Sequence, residues 1–197
     1  NFDGEVIKDS FPTNTSDFST YLNKAKNEGV DVIFCPVSIS YSTQIVKLAA
    51  SMGLDIPLLG SDTLDSNMVL EAAQGSNVQL YVSTFYQEGG SPKFDDGIKA
   101  WLNEDSTAMT NNGGNDTIAA VTAMGYDAYY VALEALKAAG STDPAAVKAA
   151  LPGVTYTGVS GSIAFDDQGD AIRDTAYIKT ADTANNVWKL ETVQTVE

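Results

Sequence analysis

The residue best suited to hold a small charged ligand is Asp62, an acid that directly follows the apolar run 56–60. A carboxylate at the carboxyl end of a central strand can pair with a ligand ammonium. The chain contains no histidine, so it lacks the usual general base and the commonest zinc ligand of protein sites. Asp62 could equally serve as a helix cap or as a solvated loop acid. Both interpretations stay open at the level of the sequence.

A second set of candidate residues follows the preceding apolar run, 31–37, or flanks Asp62. Hydroxyl groups in this set could donate hydrogen bonds to a ligand carboxylate, helped by the positive end of the helix that begins near Tyr41. The same hydroxyls are equally typical of ordinary helix caps. The set comprises Ser38, Ile39, Ser40, Tyr41, Ser61 and Thr63.

These candidates are positioned by a βαβ unit, which consists of strand 31–37, helix 42–52 and strand 56–62. Both strands are short continuous apolar runs, which is typical of strands buried on two faces of a parallel sheet. In open parallel sheets, ligands bind in the crevice outside the carboxyl ends of the strands. The sequence therefore predicts a ligand site where segments 38–41 and 61–63 meet.

The unit belongs to a longer alternation of strands and helices. Strands are predicted over 5–11 and 78–86, and a helix follows the potential caps at 14–17. Asp65 or Ser66 can cap a further short helix. The alternation predicts an α/β fold with a parallel sheet flanked by helices.

A composition break at 87–92, rich in glycine and ending in proline, predicts a boundary. The region 93–170 then shows helices and a hairpin, but no parallel sheet on which they could pack. Its apolar faces would exceed what a monomer usually exposes, so we expect a dimer or exchanged elements between chains. The predicted elements of this region are a helix with Phe94, Ile98, Trp101 and Leu102 on one face, helices 117–139 and 144–151, and strand 161–165. Two further strands, 175–179 and 187–193, are predicted after it.

Composition excludes several classes of function. The formal net charge is −15, which argues against binding nucleic acid or an anionic membrane surface. Without histidine, a metal cluster or a dinucleotide fingerprint, an enzyme has the least support, and we predict neither a metal nor a cofactor. No apolar run approaches the ~20 residues of a membrane span. The chain begins without a signal peptide or an initiating methionine, which indicates a processed or truncated chain.

Three weaker signals have ordinary structural explanations. Cys35, the single cysteine, lies inside an apolar strand and is expected to be buried and unreactive. The acids in 166–170 lack the spacing of a calcium loop, so a polar hairpin turn is expected. Tyr126, Tyr129 and Tyr130 follow helical spacing and are expected in a core or an interface between lobes.

Several motifs occur in succession along the chain. They are Thr-Ser-Asp-Phe at 15–18, Gly-Val-Asp-Val-Ile-Phe at 29–34, Leu-Leu-Gly-Ser-Asp at 58–62, Ala-Met-Gly-Tyr-Asp-Ala at 123–128, Gly-Ser-Thr-Asp-Pro at 140–144 and the stretch 158–170. Each motif alone is weak, but they cover nearly the whole chain. In this order they resemble one family, the branched-chain amino-acid type of ABC-transporter substrate-binding proteins, which have the type I periplasmic binding protein fold.

The resemblance implies two α/β lobes that close over a small ligand and deliver it to an ABC permease in the membrane. It implies that residues 1–90 and 175–197 form the second lobe, and that 91–174 are a portion of the first lobe, whose sheet is missing. It also implies an extracellular or periplasmic location, with lipid anchoring of the full-length protein left open. A ligand-sensing domain of a receptor or regulator with the same fold is the alternative.

The resemblance also assigns roles to individual residues. In the family, the acid that matches Asp62 contacts the α-ammonium of the ligand. The position of a frequent family aromatic is Ser38, a departure for which Tyr41 could substitute, and a residue about one turn before Gly125 falls near Val121. The ligand carboxylate is held mainly by the first lobe, so that half of the site is expected outside this chain.

Overall fold

The computed structural model describes residues 4–195, so the outermost residues of the predicted lobes, 1–3 and 196–197, lie outside the described part. The elements follow in chain order. They are α1 (Ser19–Glu28), β1 (Ile33–Cys35), α2 (Ile39–Met52), β2 (Leu58–Gly60), a 3-10 turn (Asp62–Leu64), α3 (Asn67–Ala73), β3 (Leu80–Thr84), α4 (Pro92–Glu104), α5 (Ser106–Asn111), α6 (Ala120–Ala139), α7 (Pro144–Ala150), a second 3-10 turn (Leu151–Gly153), β4 (Tyr156–Gly158), β5 (Gly161–Phe165), β6 (Ala171–Ile172), β7 (Thr175–Asp182) and β8 (Val187–Thr195).

The main sheet has five strands in the order β1-β2-β3-β7-β8. The first three strands are parallel, with Ile33 opposite Leu58 and Leu58 opposite Leu80, whereas β7 and β8 add antiparallel strands at one side. Helices α1, α2 and α3 bury apolar residues against these strands, so the predicted α/β fold class is confirmed.

The core of this sheet follows from the helical and strand periods of the sequence. Each fully buried leucine or valine contributes roughly 1.5–3 kcal/mol relative to exposure. Helices α1 and α2 end at Gly29 and Gly53, whose positive φ angles of 67° and 57° suit glycine at a helix end. The buried core includes Phe18, Leu22, Ile45, Val46, Ala49, Leu58, Leu64, Val69, Leu80 and Val82.

Two predictions about strands are wrong. The segment 5–11 forms no strand among the described residues. Its last residue, Phe11, packs on Phe18 instead, with the two ring centres 5.0 Å apart. The strand that contains β1 is not buried on both faces, because Phe34 is 62% exposed and Val32 is 42% exposed. In the described sheet β1 is an edge strand, so part of its surface stays open.

The region after β3 contains helices, as the sequence predicts, and in place of the expected hairpin it has a small antiparallel sheet of β4, β5 and β6. It has two apolar clusters of its own, one around Tyr86 and Phe94 and one around Val131 and Ile163. Trp101 departs from the prediction: it does not share the buried face of α4, because 53% of its surface is exposed. The two-lobe division at these boundaries stays a prediction.

Helix boundaries also differ from the sequence pattern. Helix α2 begins at Ile39 rather than near 42, and α6 begins at Ala120 rather than at 117. At the start of α7, the Asp143 carboxylate accepts hydrogen bonds from the amides of Ala145 and Ala146. The earlier start of α2 matters most, because it makes segment 38–41 the beginning of a helix rather than a loop.

Cys35 is buried, as predicted, and burial raises the pKa of its thiol to about 11. At pH 8 the reactive thiolate is therefore scarce in the folded chain. We expect a disulfide exchange reagent to label the native chain more than about a hundredfold more slowly than the urea-unfolded chain. Equal rates in the two states would contradict the burial of this strand.

Gly60, the last residue of β2, lies under the turn that carries Asp62. A Cβ atom at this position would lie 2.9 Å from the Leu64 Cβ and 2.8 Å from its Cγ. We expect Gly60→Ala to lower the free energy of unfolding by about 1–3 kcal/mol in urea denaturation, because the turn must shift. Gly97→Ala is the control: an added Cβ there meets nothing within 4 Å, so the helix should gain about 0.5–1 kcal/mol.

Candidate functional site

The site begins where β1 and β2 end. Backbone hydrogen bonds from Leu64 to Ser61 (2.9 Å) and from Asp65 to Asp62 (3.1 Å) form a tight turn after β2. The Thr63 hydroxyl donates a hydrogen bond to the Val37 carbonyl at 2.7 Å. This contact ties the turn to the segment after β1, so the two predicted segments meet at one edge of the sheet.

Asp62 is half-buried at the start of this turn. It caps no helix, since Ser61 occupies the N-cap position of the turn and makes no side-chain cap. Among residues 4–195, no side chain or amide forms a hydrogen bond or ion pair with the Asp62 carboxylate. Hydrogen bonds of the turn fix the backbone on both sides of Asp62. The carboxylate is therefore held in place and remains available to pair with a cation.

The start of α2 forms the neighbouring wall. Ser38 is the N-cap, but its hydroxyl pairs with that of Ser40 at 3.1 Å rather than with a helix amide. Ile39 is 38% exposed, whereas Tyr41 is half-buried. The Tyr41 ring makes edge contacts with Phe11, with ring centres 5.2 Å apart, so an aromatic cluster supports this wall from behind.

Val121 approaches the same edge from the other region. It lies in the first turn of α6 and is 52% exposed. Helix α6 contacts the turn that begins at Asp62, and the amide of Ala120 points to a carboxylate oxygen of Asp65 at 3.4 Å. The structure therefore packs the start of α6 against the turn 62–64, which the Thr63 hydroxyl ties to Val37.

Asp65 is the residue that sequence reasoning misplaced. It caps no helix; Ser66 does, through the amide of Met68 at 3.2 Å. Asp65 is 2% exposed, and one of its carboxylate oxygens, Oδ2, accepts hydrogen bonds from the Thr84 hydroxyl at 2.8 Å and the Lys179 ammonium at 2.9 Å. The signal in the sequence was a lysine within the apolar strand that starts at 175, because a buried lysine requires an acidic partner.

A second buried carboxylate organises the region around α6. Asp127 is fully buried and accepts hydrogen bonds from the amides of Val159 and Ser160 at 2.9 and 2.7 Å. Gly158 fits against this carboxylate, where no Cβ would fit. Arg173 supports the same loop, since it donates a hydrogen bond to the Ser160 carbonyl at 2.8 Å. The role of Asp127, the acid of the Gly-Tyr-Asp-Ala motif, is therefore to fix this loop.

Two concave surfaces, of about 350 and 300 Å³, lie away from the predicted site. Trp101 and Leu102 help to line the larger one, and Tyr156 and Ile163 the smaller one. Neither surface is lined by Val121 or by a residue of segments 38–41 and 61–63.

The described part of the chain offers neither a metal-ligand cluster nor a membrane-spanning helix. Residues 4–195 contain no cluster of three or more potential metal ligands. Asp166 instead accepts hydrogen bonds from the amides of Gln168 and Asp170, as in the predicted polar turn. In the same part of the chain, no helix is both long enough and apolar enough to cross a membrane.

Comparison with known proteins identifies the family. Residues 1–185 match the family model described as periplasmic binding protein. The chain belongs to this family. The Leu/Ile/Val-binding protein homolog 1 of Brucella abortus (strain 2308) is 29% identical over 167 residues, which are 84% of this chain and 42% of that protein.

Solved structures of periplasmic binding proteins superpose on the chain. The leucine-binding protein LivK of Thermotoga maritima gives a TM-score of 0.71 at 25% identity, over 94% of this chain and 50% of that one. The protein LivJ of Streptococcus pneumoniae, in complex with isoleucine, gives 0.63 at 24% identity, over 94% and 50%. A solute-binding protein of R. palustris in complex with benzoate gives 0.73 at 17% identity, over 98% and 52%. The last two show the fold alone.

These matches confirm the family resemblance drawn from the sequence motifs. The neighbours from S. pneumoniae and R. palustris are described as the substrate-binding or solute-binding proteins of transporters, so the matched proteins are solute-binding proteins rather than enzymes. The chain spans about half the length of the relatives it matches.

Breaking the buried ion pair should destabilise the fold. Lys179→Met leaves the Asp65 carboxylate buried without its cation, so we expect the free energy of unfolding to fall by about 3–5 kcal/mol. Lys189→Met is the matched control, because Lys189 pairs with Asp182 at the exposed end of the same strand. Urea denaturation of both variants checks this; equal midpoints would show that the buried pair contributes no more than a surface pair.

Proposed function

We propose that the protein to which this chain belongs binds an amino acid of the branched-chain type, with Asp62 as the counter-charge of the ligand's α-ammonium. The observation that carries the proposal is the Asp62 carboxylate itself, positioned at the strand ends by backbone contacts and without a partner among the described side chains. The names of the Brucella abortus and Thermotoga maritima relatives support the same ligand class.

The surroundings of Asp62 fit a zwitterion with an apolar side chain. Ile39 and Val121 are exposed apolar residues at the starts of α2 and α6, two helices that contact the turn, and Tyr41 adds an aromatic ring. The hydroxyls of Ser38 and Thr63 offer polar contacts near the acid. We propose these six residues as this chain's share of the site, while the ligand carboxylate is held mainly by residues outside the chain.

An aromatic acid is a less favourable ligand for this site. The R. palustris neighbour was solved with benzoate, an anion that carries no ammonium group. A ligand of that kind offers no positive charge to Asp62, so binding it would desolvate the carboxylate without giving it a partner. A zwitterion avoids this cost because its ammonium faces the acid.

The same proposal covers the architecture and partners of the whole protein. Residues 1–90 and 175–197 would belong to one lobe and 91–174 to the other, and the ligand-loaded protein would pass its cargo to an ABC permease. Lipid anchoring stays an open expectation. For this chain alone, a dimer or exchanged elements stay the expectation, since Phe34, Trp101 and Tyr129 expose apolar surface.

The proposal is tested by Asp62→Asn in the protein that contains this chain at the full length of its relatives. The amide keeps the size of the side chain but loses the charge that pairs with the ammonium. We expect affinity for the amino-acid ligand to fall by about 2 kcal/mol, which is roughly thirtyfold, in calorimetric titration.

Asp55→Asn is the control for this substitution. Asp55 is an exposed acid just before the other end of β2, so its replacement removes the same charge far from the site. Its affinity should match that of the unmodified protein. Normal affinity in the Asp62→Asn variant would remove Asp62 from the site.

A further inference from the structure

The buried Asp65 carboxylate lies where four segments of the chain meet. Its Oδ2 atom accepts from Thr84 at the end of β3, from Lys179 in β7 and, at 3.4 Å, from the amide of Ala120 at the start of α6. Its own amide donates to the carbonyl of Asp62. One side chain therefore joins the ligand-site turn to β3, to β7 and to α6.

Because the Asp65–Lys179 pair is buried, the cost of removing both charges from water offsets much of the free energy that their attraction contributes. The side chains of Asp65 and Lys179 are 1% and 4% exposed. The second carboxylate oxygen, Oδ1, has no hydrogen-bond partner within residues 4–195. Replacing a buried ion pair by apolar residues is often neutral or stabilising, so stability alone gives a weak reason for this pair.

The contacts of Asp65 instead bear on two predicted ligand-binding residues. Asp62 begins the turn that the Asp65 amide closes, and Val121 directly follows Ala120, whose amide approaches the same carboxylate. Asp62 belongs to the region of the main sheet, whereas Val121 belongs to the region after β3. A shift of Asp65 would move both residues relative to each other.

We propose that Asp65, held by Thr84 and Lys179, is a positioning residue that sets the placement of Asp62 against Val121 and thereby the ligand affinity. It does not touch the ligand. The proposal rests on the proposed function for its affinity readout, but its effect on the backbone can be measured without a ligand.

The main variant is Asp65→Leu/Lys179→Met in the full-length protein that contains this chain. It replaces the pair by apolar side chains, so the unfolding midpoint should exceed that of Lys179→Met alone. We expect the dissociation constant for the amino-acid ligand to rise by about tenfold or more, at unchanged stoichiometry. The control is Asp182→Leu/Lys189→Met, which makes the same replacements in a less buried pair at the end of β7, where the Lys189 side chain is 59% exposed, and should leave the affinity unchanged.

A purely structural role predicts a different pattern. Loss of folded protein would lower the stoichiometry and leave the dissociation constant of the folded fraction unchanged, which would overturn the proposal. If the double variant does not fold, Thr84→Val decides the question. It removes one donor to Asp65 at nearly constant shape and should raise the dissociation constant, and Thr84→Ser, which keeps the hydroxyl, should restore it.

Hydrogen exchange of the ligand-free protein separates this proposal from the proposed function. Without the Asp65 contacts, we expect faster exchange at the amides of Leu64, Asp65 and Ala120 in the double variant and in Thr84→Val, but not in the Asp182/Lys189 control. If the unmodified protein binds no amino acid, the proposed function is wrong. In that case the exchange rates alone test whether Asp65 positions the turn and the start of α6. Unchanged exchange at the turn and at Ala120 would overturn the positioning role.

Discussion

The ion pair between Asp65 and Lys179 is the interaction on which the arrangement of the site depends. It joins the turn after β2 to a strand that the chain adds more than a hundred residues later, and the same carboxylate reaches the end of β3 and the start of α6. A buried charge tolerates little displacement, because moving it from its partners exposes the full cost of its desolvation. The pair therefore restricts the strand ends to one geometry.

Two acids three residues apart consequently have opposite environments. Asp65 lies inside and is bound by protein donors, whereas Asp62 is half-buried and has no partner among the described side chains. Asp65 fixes the backbone around the turn, and the Asp62 carboxylate remains available to a ligand. Asp127 repeats the structural solution in the other region, where loop amides and the Ser160 hydroxyl satisfy its carboxylate. In this chain a buried acid organises the backbone, and a partly exposed acid at a strand end is the candidate for binding.

Periodicity was sufficient to predict the parallel strands, their helices and the edge where segments 38–41 and 61–63 meet, because short apolar runs and glycine ends are local signals. The strand predicted over 5–11 was wrong because pairing needs a neighbouring strand, which local pattern does not supply. The role of Asp65 was missed because its partners, Thr84 and Lys179, are distant in sequence. The role of Asp62 stays a prediction, drawn from its place after a strand and from the family resemblance, because its ligand depends on residues beyond this chain.

Calorimetric titration of the full-length protein with single amino acids, and with benzoate as the anion that carries no ammonium, tests the central claim most directly. The account predicts heat of binding with leucine, isoleucine or valine, and none with benzoate, because Asp62 favours a ligand that presents an ammonium group. Binding of benzoate with no response to any amino acid would contradict the account. The periplasmic binding protein fold would stand, and the role given to Asp62 would not.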